Sequence, residues 1–360
     1  MATHSKSRRT KASPLSPLEV ARSVSLTYTT DTMPGFRRRL RGRTFIYLDG
    51  QGQRITSSEE LTRIRGLVIP PAWTDVWICA EPDGHLQVTG RDVRGRKQYR
   101  YHPAWRSVRD AHKYDRLIEF AAVLPAIRRQ VTRHLRLPGM PREKIVALIV
   151  RLLEVTLIRI GNEEYARQNG SFGLTTLKDQ HAVVRRDQVR FSFRGKSGKL
   201  HDVSLQDARL ARLVHQCREL PGYRLFQYLD EQGVPQEVGS GQVNEYLRTV
   251  TGREFTAKDF RTWFGTVIAA QELLAQPAPS SQRARKAAVV QAIQRTAERL
   301  GNTVAVCRKC YIHPAVTNAF LQDTLRTFFP EAHPGRSRSW WESATLRFLS
   351  RKGPEFRQAS

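Results

Sequence analysis

The chain is short of cysteine, short of acid and free of long apolar runs, and each shortage narrows what it can be. Four cysteines in 360 residues, Cys79, Cys217, Cys307 and Cys310, are too few and too scattered for a disulfide framework. Cys307 and Cys310 form a CxxC, but a structural zinc needs a second ligand pair, and neither another CxxC nor a clear His pair accompanies it. No metal is expected. No apolar stretch approaches the roughly 18–20 residues that span a bilayer, so no membrane partner is expected. The opening MATHSKSRRTKASPLSP has no apolar core of a secretory signal, which predicts a cytoplasmic, nucleoid-associated protein. Asp and Glu number 33 against 60 Lys and Arg, a formal charge of +27, so nucleic acid is the leading partner class. Apolar residues make up 40% of the chain, enough for two domains with proper cores.

Punctuation and periodicity divide the chain. Residues 1–20, rich in Ser, Lys, Arg and Pro, read as a basic tail. A β-rich domain is expected over 21–106. In it Thr44–Leu48 runs into the hairpin signal Asp49-Gly50, and 76–80 and 85–89 flank a turn at Asp83-Gly84. From 107 to 346 the period is helical, with helices expected over 107–135, Arg142 to about Arg159, 206–218, 240–250, 259–275 and 281–301. Strand-like residues between 170 and 202 interrupt it, turning at Arg194–Gly198. Residues 347–360 read as a C-terminal tail. The fold class is α+β: a small β-rich N-terminal domain and a larger, mainly helical domain holding a small embedded sheet.

The positive charge is concentrated. Arg91, Arg94, Arg96, Lys97, Arg100, Arg106 and Arg109 crowd one stretch, with Gln98 among them and Tyr99, Tyr101 and Trp105 interleaved. Cations can hold phosphates while aromatic rings press on sugars or bases. A solvated basic face would have the same composition.

A second group of residues carries the chemistry of phosphodiester cleavage, which needs a nucleophile, cations on the non-bridging oxygens and an acid for the leaving oxygen. Tyr311 lies in Cys307-Arg308-Lys309-Cys310-Tyr311-Ile312-His313-Pro314, a tyrosine among cations, and nearby positive charge favours a phenolate. Arg159 is expected at the end of a helix, just before Gly161. Lys196 lies in the turn Gly195-Lys196-Ser197-Gly198. That Gly-Lys-Ser is not a phosphate-binding P-loop, because Arg190 stands where the motif needs glycine and no helix follows. No nucleotide is expected. Lys258-Asp259-Phe260-Arg261 opens a helix with two cations three residues apart. Taken singly, each is an ordinary surface charge or helix end.

Taken in order, Arg159, Lys196, Lys258-x-x-Arg261, Asn302 and Tyr311 resemble the active-site set of the type IB DNA topoisomerases, in the compact form of poxviruses and bacteria. The resemblance extends through IRIGNEEYARQNGSFGLTTL, KDFRTW and CRKCYIHPAV, and through GLVIPPAW and GRDVRGRKQYRYHPAWR, covering about residues 35 to 345. It implies the fold of the tyrosine recombinase and type IB topoisomerase catalytic domain. It implies that Tyr311 attacks a backbone phosphorus to form a 3′-phosphotyrosyl bond, that Lys196 protonates the departing 5′-oxygen with Arg159 assisting, and that Arg159 and Arg261 hold the non-bridging oxygens. Asn302 stands where many members have histidine. An amide donates a neutral hydrogen bond but carries no charge. Lys258 flanks the set. Neither ATP, metal nor another cofactor is implied, and a monomer would close on duplex DNA as a clamp. The nearest rival, a tyrosine recombinase, usually has His at the Lys258 position and a helical DNA-binding N-domain. A non-enzymatic DNA-packaging protein would explain the charge and leave the ordered set unexplained.

Overall fold

The computed structural model describes residues 17–357, Arg94 excepted, and these divide into two compact units, one up to Lys113 and one from Tyr114. Most of the expected N-terminal tail falls outside the described residues. Its end does not read as tail, because Pro17–Arg22 forms a short helix, α1, whose Ala21 packs with Leu26 and Trp105.

The first unit is a five-stranded antiparallel sheet. Its strands are β1 (Gly35–Arg41), β2 (Thr44–Leu48), β3 (Thr74–Cys79), β4 (Leu86–Arg91) and β5 (Lys97–Tyr101), in the order β2-β1-β3-β4-β5. Helix α2 (Ser58–Gly66) lays Ile64 against Val76, Ile78 and Val88. Trp77, Cys79 and Leu86 form a second small cluster with Tyr101. Strand β3 therefore reads Val-Trp-Ile-Cys without polar alternation, each of the four residues being buried. The Asp49-Gly50 signal makes a short antiparallel return, with Leu48 bridged to Arg54, Asp49 N donating to Gln53 O (2.8 Å) and Ile55 N to Tyr47 O (2.9 Å). Strand β2 also pairs with β1 across a turn at Gly42, and Asp49 closes the return, its carboxylate accepting from the backbone of Gln51 (2.9 Å) and Gln53 (2.8 Å). The Asx turn satisfies local backbone donors as the chain reverses.

The second unit is mainly helical. The long helix α3 (Pro103–His134) ends in it, and α4 (Arg142–Thr156), α5 (Glu163–Asn169) and the antiparallel sheet β6 (Ala182–Arg185), β7 (Gln188–Arg194) and β8 (Leu200–Gln206) follow. Then come α6 (Ala208–Arg218), the short pair β9 (Gln227–Leu229) and β10 (Pro235–Glu237), and α7 (Ser240–Thr251). Helices α8 (Ala257–Leu274), α9 (Gln282–Leu300), α10 (Val304–Cys310), α11 (Pro314–Leu321), α12 (Leu325–Phe328) and α13 (Arg338–Arg357) complete the chain. Helix α8 runs through the core, burying Phe260, Trp263, Phe264, Val267, Ile268, Ala269, Ala270 and Leu273. The expected tail from 347 is a further correction. Phe348 and Leu349 are buried in α13, and an apolar pair at the end of a helix stays ordered when a core receives it.

Helix α4 stops short of Arg159, at Thr156. Leu157 takes a left-handed conformation (φ 57°), unusual for a branched side chain, and directs the chain out of the helix. Among the described residues no helix is long and apolar enough to cross a membrane, and no group of His, Cys, Asp or Glu could hold a metal ion. Cys79, Cys217 and Cys307 are buried free thiols and Cys310 is half-buried. Burial pushes the Cys307 thiol up to about 12, the property of a packing residue.

Candidate active site

The site is organised by the C-terminal end of α9. A helix leaves its last carbonyls without intrahelical partners and carries partial negative charge there. Here three successive carbonyls each receive a cation. Arg261 Nη2 donates to Leu300 O (2.7 Å), Arg159 Nη1 to Gly301 O (3.3 Å) and Lys199 Nζ to Asn302 O (3.5 Å). Gly301 (φ +61°) supplies the left-handed cap that turns the chain, and the Asn302 N–H reaches back to Ala297 O (2.8 Å).

Arg159 is fixed by backbone on both sides. Its carbonyl accepts from Leu174 N (2.9 Å), and Ile160 O accepts from Thr175 N (2.7 Å) and Thr175 Oγ1 (2.9 Å). The two segments cross so closely that a Cβ on Gly173 would lie 2.6 Å from Arg159 O, and Gly161 sits at φ +103°. Both glycines of this crossing are thus steric requirements. From this seat the Arg159 guanidinium also donates to Asn302 Oδ1. Burial pulls its pKa below the usual arginine value, and the Tyr311 hydroxyl works against that shift.

Arg261, on the second turn of α8, is only 3% exposed. It donates to Leu157 O and Leu300 O, and its guanidinium carbon lies 5.1 Å from the centre of the Tyr311 ring. Burial lowers its pKa, with the Tyr311 hydroxyl opposing and Arg159 adding to the fall. Among the described residues no carboxylate pairs with Arg159 or Arg261. Two buried donors of the cluster, Arg261 Nε and Asn302 Nδ2, have no protein partner. A buried guanidinium without a carboxylate, beside an orphaned amide donor, is poised for an anion that the protein itself does not supply.

Tyr311 caps α10, its N–H donating to Cys307 O (3.0 Å). Its carbonyl presses on α8 at Gly265, where a Cβ would lie 2.6 Å from Tyr311 O. The neighbouring Thr266 Oγ1 reaches Tyr311 O (3.4 Å) and accepts from His313 N (3.1 Å). His313 caps α11 through Nδ1, which accepts from Ala315 N (3.0 Å), and its ring lies tilted at 4.5 Å from that of Tyr114, whose hydroxyl donates to Ile312 O (3.2 Å). The nucleophile candidate thus lies in a segment tied down on both sides.

Among the sequence candidates, the structure brings Arg159, Arg261, Asn302 and Tyr311 together. Lys196 is exposed at the tip of the β7–β8 hairpin, with no side-chain partner among the described residues, and the hairpin's other lysine, Lys199, touches the α9 end. Lys258 is exposed at the start of α8, whereas Arg261 is buried, so the two cations do not share one environment. On the β4–β5 hairpin several cations already have carboxylate partners. Arg91 pairs with Asp75 (3.6 Å), Arg96 with Asp92 (2.6 Å) and Lys97 with Asp31, which Lys97 holds below the usual carboxylate range. Gln98 Nε2 donates to Asp92 Oδ2 (2.9 Å). Tyr99 is exposed and stacks on Tyr101, which is half-buried over the sheet. Arg94 lies outside the described residues. Sequence reasoning missed Gly173, Gly265, Thr266, Lys199 and His201, and read Gly161 as a helix end and not as part of a chain crossing. The glycine inside the helical run KDFRTWFGT was the one readable signal of a close approach.

Guanidinium groups and an amide gathered beside a tyrosine can chemically receive a phosphoryl group. Residues 102–327 match the family model for the catalytic core of eukaryotic DNA topoisomerase I, and residues 44–92 match that for the N-terminal domain of bacterial DNA topoisomerase IB. The chain is 31% identical to DNA topoisomerase 1B of Acanthamoeba polyphaga mimivirus over 287 residues, 78% of this chain and 85% of the relative. DNA topoisomerase 1B of Vaccinia virus is 23% identical over 283 residues, and DNA topoisomerase 1 of Rabbit fibroma virus 25% over 305. These matches cover 73% and 78% of this chain and 84% and 91% of the relatives. The chain belongs to the type IB DNA topoisomerase family.

Proposed function

We propose that the protein relaxes supercoiled duplex DNA by cutting and resealing one strand through Tyr311. The observation that carries this reading is the buried, carboxylate-free Arg261 beside the Tyr311 ring, with the half-buried Arg159 at the same helix end and Arg261 Nε and Asn302 Nδ2 left as donors. In this reading a backbone phosphate takes the place of the missing anion. Arg159 and Arg261 hold its non-bridging oxygens, where charge grows in the transition state, and Asn302 adds a neutral donor. The Tyr311 oxygen gives up its proton to solvent, attacks phosphorus and forms the new P–O bond as the bond to the 5′-oxygen breaks. Lys196 gives its proton to that oxygen, and Arg159 assists. The product is a 3′-phosphotyrosine and a free 5′-hydroxyl.

One ester replaces another of similar energy, so resealing is the reverse step and needs no nucleotide. While the strand is open the duplex can swivel. Arg91, Arg96, Lys97, Gln98, Tyr99, Tyr101, Lys258 and Arg94 are proposed as contacts to the DNA outside the reacting phosphate, and the protein is proposed to act as a monomer.

Tyr311→Phe should bind duplex DNA as the parent does and lose both relaxation and the covalent complex. Relaxation of plasmid by that variant at the parental rate overturns the assignment. Relaxation should also persist in EDTA without ATP, and an absolute need for either refutes the reaction as written.

A further inference from the structure

His201 lies on β8 opposite Phe193, and the two rings stack at 5.0 Å with an interplanar angle of 5°. Two backbones make room for the imidazole. A Cβ on Gly195, at the base of the hairpin turn, would lie 2.6 Å from His201 Cδ2. A Cβ on Gly301, at the end of α9, would lie 2.2 Å from Cε1. The ring therefore fills the gap between the turn that carries Lys196 and the turn that holds Arg159 and Asn302. The hairpin tip itself is tightly closed, with Gly195 N donating to Lys199 O (2.8 Å) and Gly198 N to Gly195 O (3.1 Å). A rigid tip moves as a unit with its seat, which the imidazole shares with the longer Lys199 contact to Asn302 O (3.5 Å).

We propose that His201 is a positioning residue that seats the Lys196 hairpin on the α9 end and so sets where the proton donor stands. The inference rests on Lys196 being the acid. The residue acts through its ring in a glycine-lined slot and touches no reacting atom. Its surroundings keep the imidazole neutral, since burial, Arg159, Arg261 and Lys199 all hold its pKa down, to about 4. A second cation at this point would push the hairpin off the helix end.

The test compares two labelled duplexes under single-turnover conditions, one with the natural 5′-oxygen at the cut and one with sulfur in its place. A thiolate leaves without a proton, because a thiol is a far stronger acid than an alcohol. His201→Ala should slow cleavage of the oxygen substrate by about 10- to 100-fold, the loss expected when a catalytic group shifts by up to an ångström. It should cleave the sulfur substrate within about threefold of the parent. Gly195→Ala, whose new methyl expels the ring, should show the same pattern, and the double variant should be no slower than the worse single one. Equal losses on both substrates, no loss on either, or additive losses in the double variant overturn the proposal. Lys196→Ala is the control: if sulfur does not rescue it, the acid assignment fails. If sulfur rescues Lys196→Ala but not His201→Ala, the positioning role alone fails.

Discussion

Gly265→Ala tests whether the seat of Tyr311 controls catalysis. The substitution adds one methyl to the buried helix α8, and that methyl would lie 2.6 Å from Tyr311 O and 3.1 Å from Leu300 Cδ1. The leucine terminus can rotate, but the Tyr311 carbonyl belongs to backbone held by Cys307 and the Thr266 hydroxyl. Ordinary contact begins near 3.4 Å, so the Tyr311 backbone must retreat by about 0.8 Å (3.4 − 2.6). Two effects on stability oppose each other. Alanine gains up to about 1 kcal/mol in helix propensity over glycine, while overpacking a core costs about 1–3 kcal/mol. The net change is a modest loss, and the protein stays folded. The effect on rate is larger, because an ångström of misplacement at a reacting group can cost about a hundredfold. Single-turnover cleavage of a labelled duplex should therefore fall by about 30- to 100-fold, with DNA affinity in a filter assay unchanged. Cleavage within about threefold of the parent would refute the view that this contact places the nucleophile.

Two further predictions concern stability. The depressed pKa of His201, about 4 against an ordinary 6.5, means that the unfolded chain binds this proton more readily than the folded one. Stability from this group is complete above pH 6.5 and is lost as pH falls towards 4, by up to about 3 kcal/mol. Melting temperatures at pH 7 and 4.5 should diverge more for the parent than for His201→Phe, and equal pH slopes would exclude the effect. Glu154, 4% exposed, is shared by Arg128 (2.6 Å), Arg151 (2.8 Å) and Arg338 (3.6 Å), with Glu342 tying Arg128 (2.8 Å) and Arg338 (3.0 Å). Glu154 is buried but its three arginines are 30–43% exposed, so solvent compensates part of the lost charge and Glu154→Gln should cost about 1–3 kcal/mol in urea unfolding. A loss below about 1 kcal/mol would show the network to be solvated.

Much of the architecture was legible before any coordinates. Helices over 208–218, 240–251, 257–274 and 282–300 follow from apolar residues three and four apart, and β7 and β8 from alternation around Gly195–Gly198. The errors fell where local signals are degenerate. The chain past 347 is an apolar helix end that needs a core to order it, and α4 ends before Arg159 because Leu157 accepts a left-handed conformation. None of these outcomes is set by neighbours in sequence.

The amino-acid sequence by itself determined the class of partner through its charge, the α+β order of elements through its periodicities, and the family through motifs that keep their order along the chain. Those properties are local or additive, and they survive without knowledge of distance. Tertiary structure alone decided that the end of α9 gathers Arg261, Arg159 and Lys199 on three successive carbonyls, that Gly265 lets Tyr311 lie against α8, and that His201 fills the slot between Gly195 and Gly301. Each depends on segments tens of residues or more apart meeting within van der Waals distance. Such meetings are fixed by the packing of the whole core and leave in the sequence only a glycine where a side chain would collide.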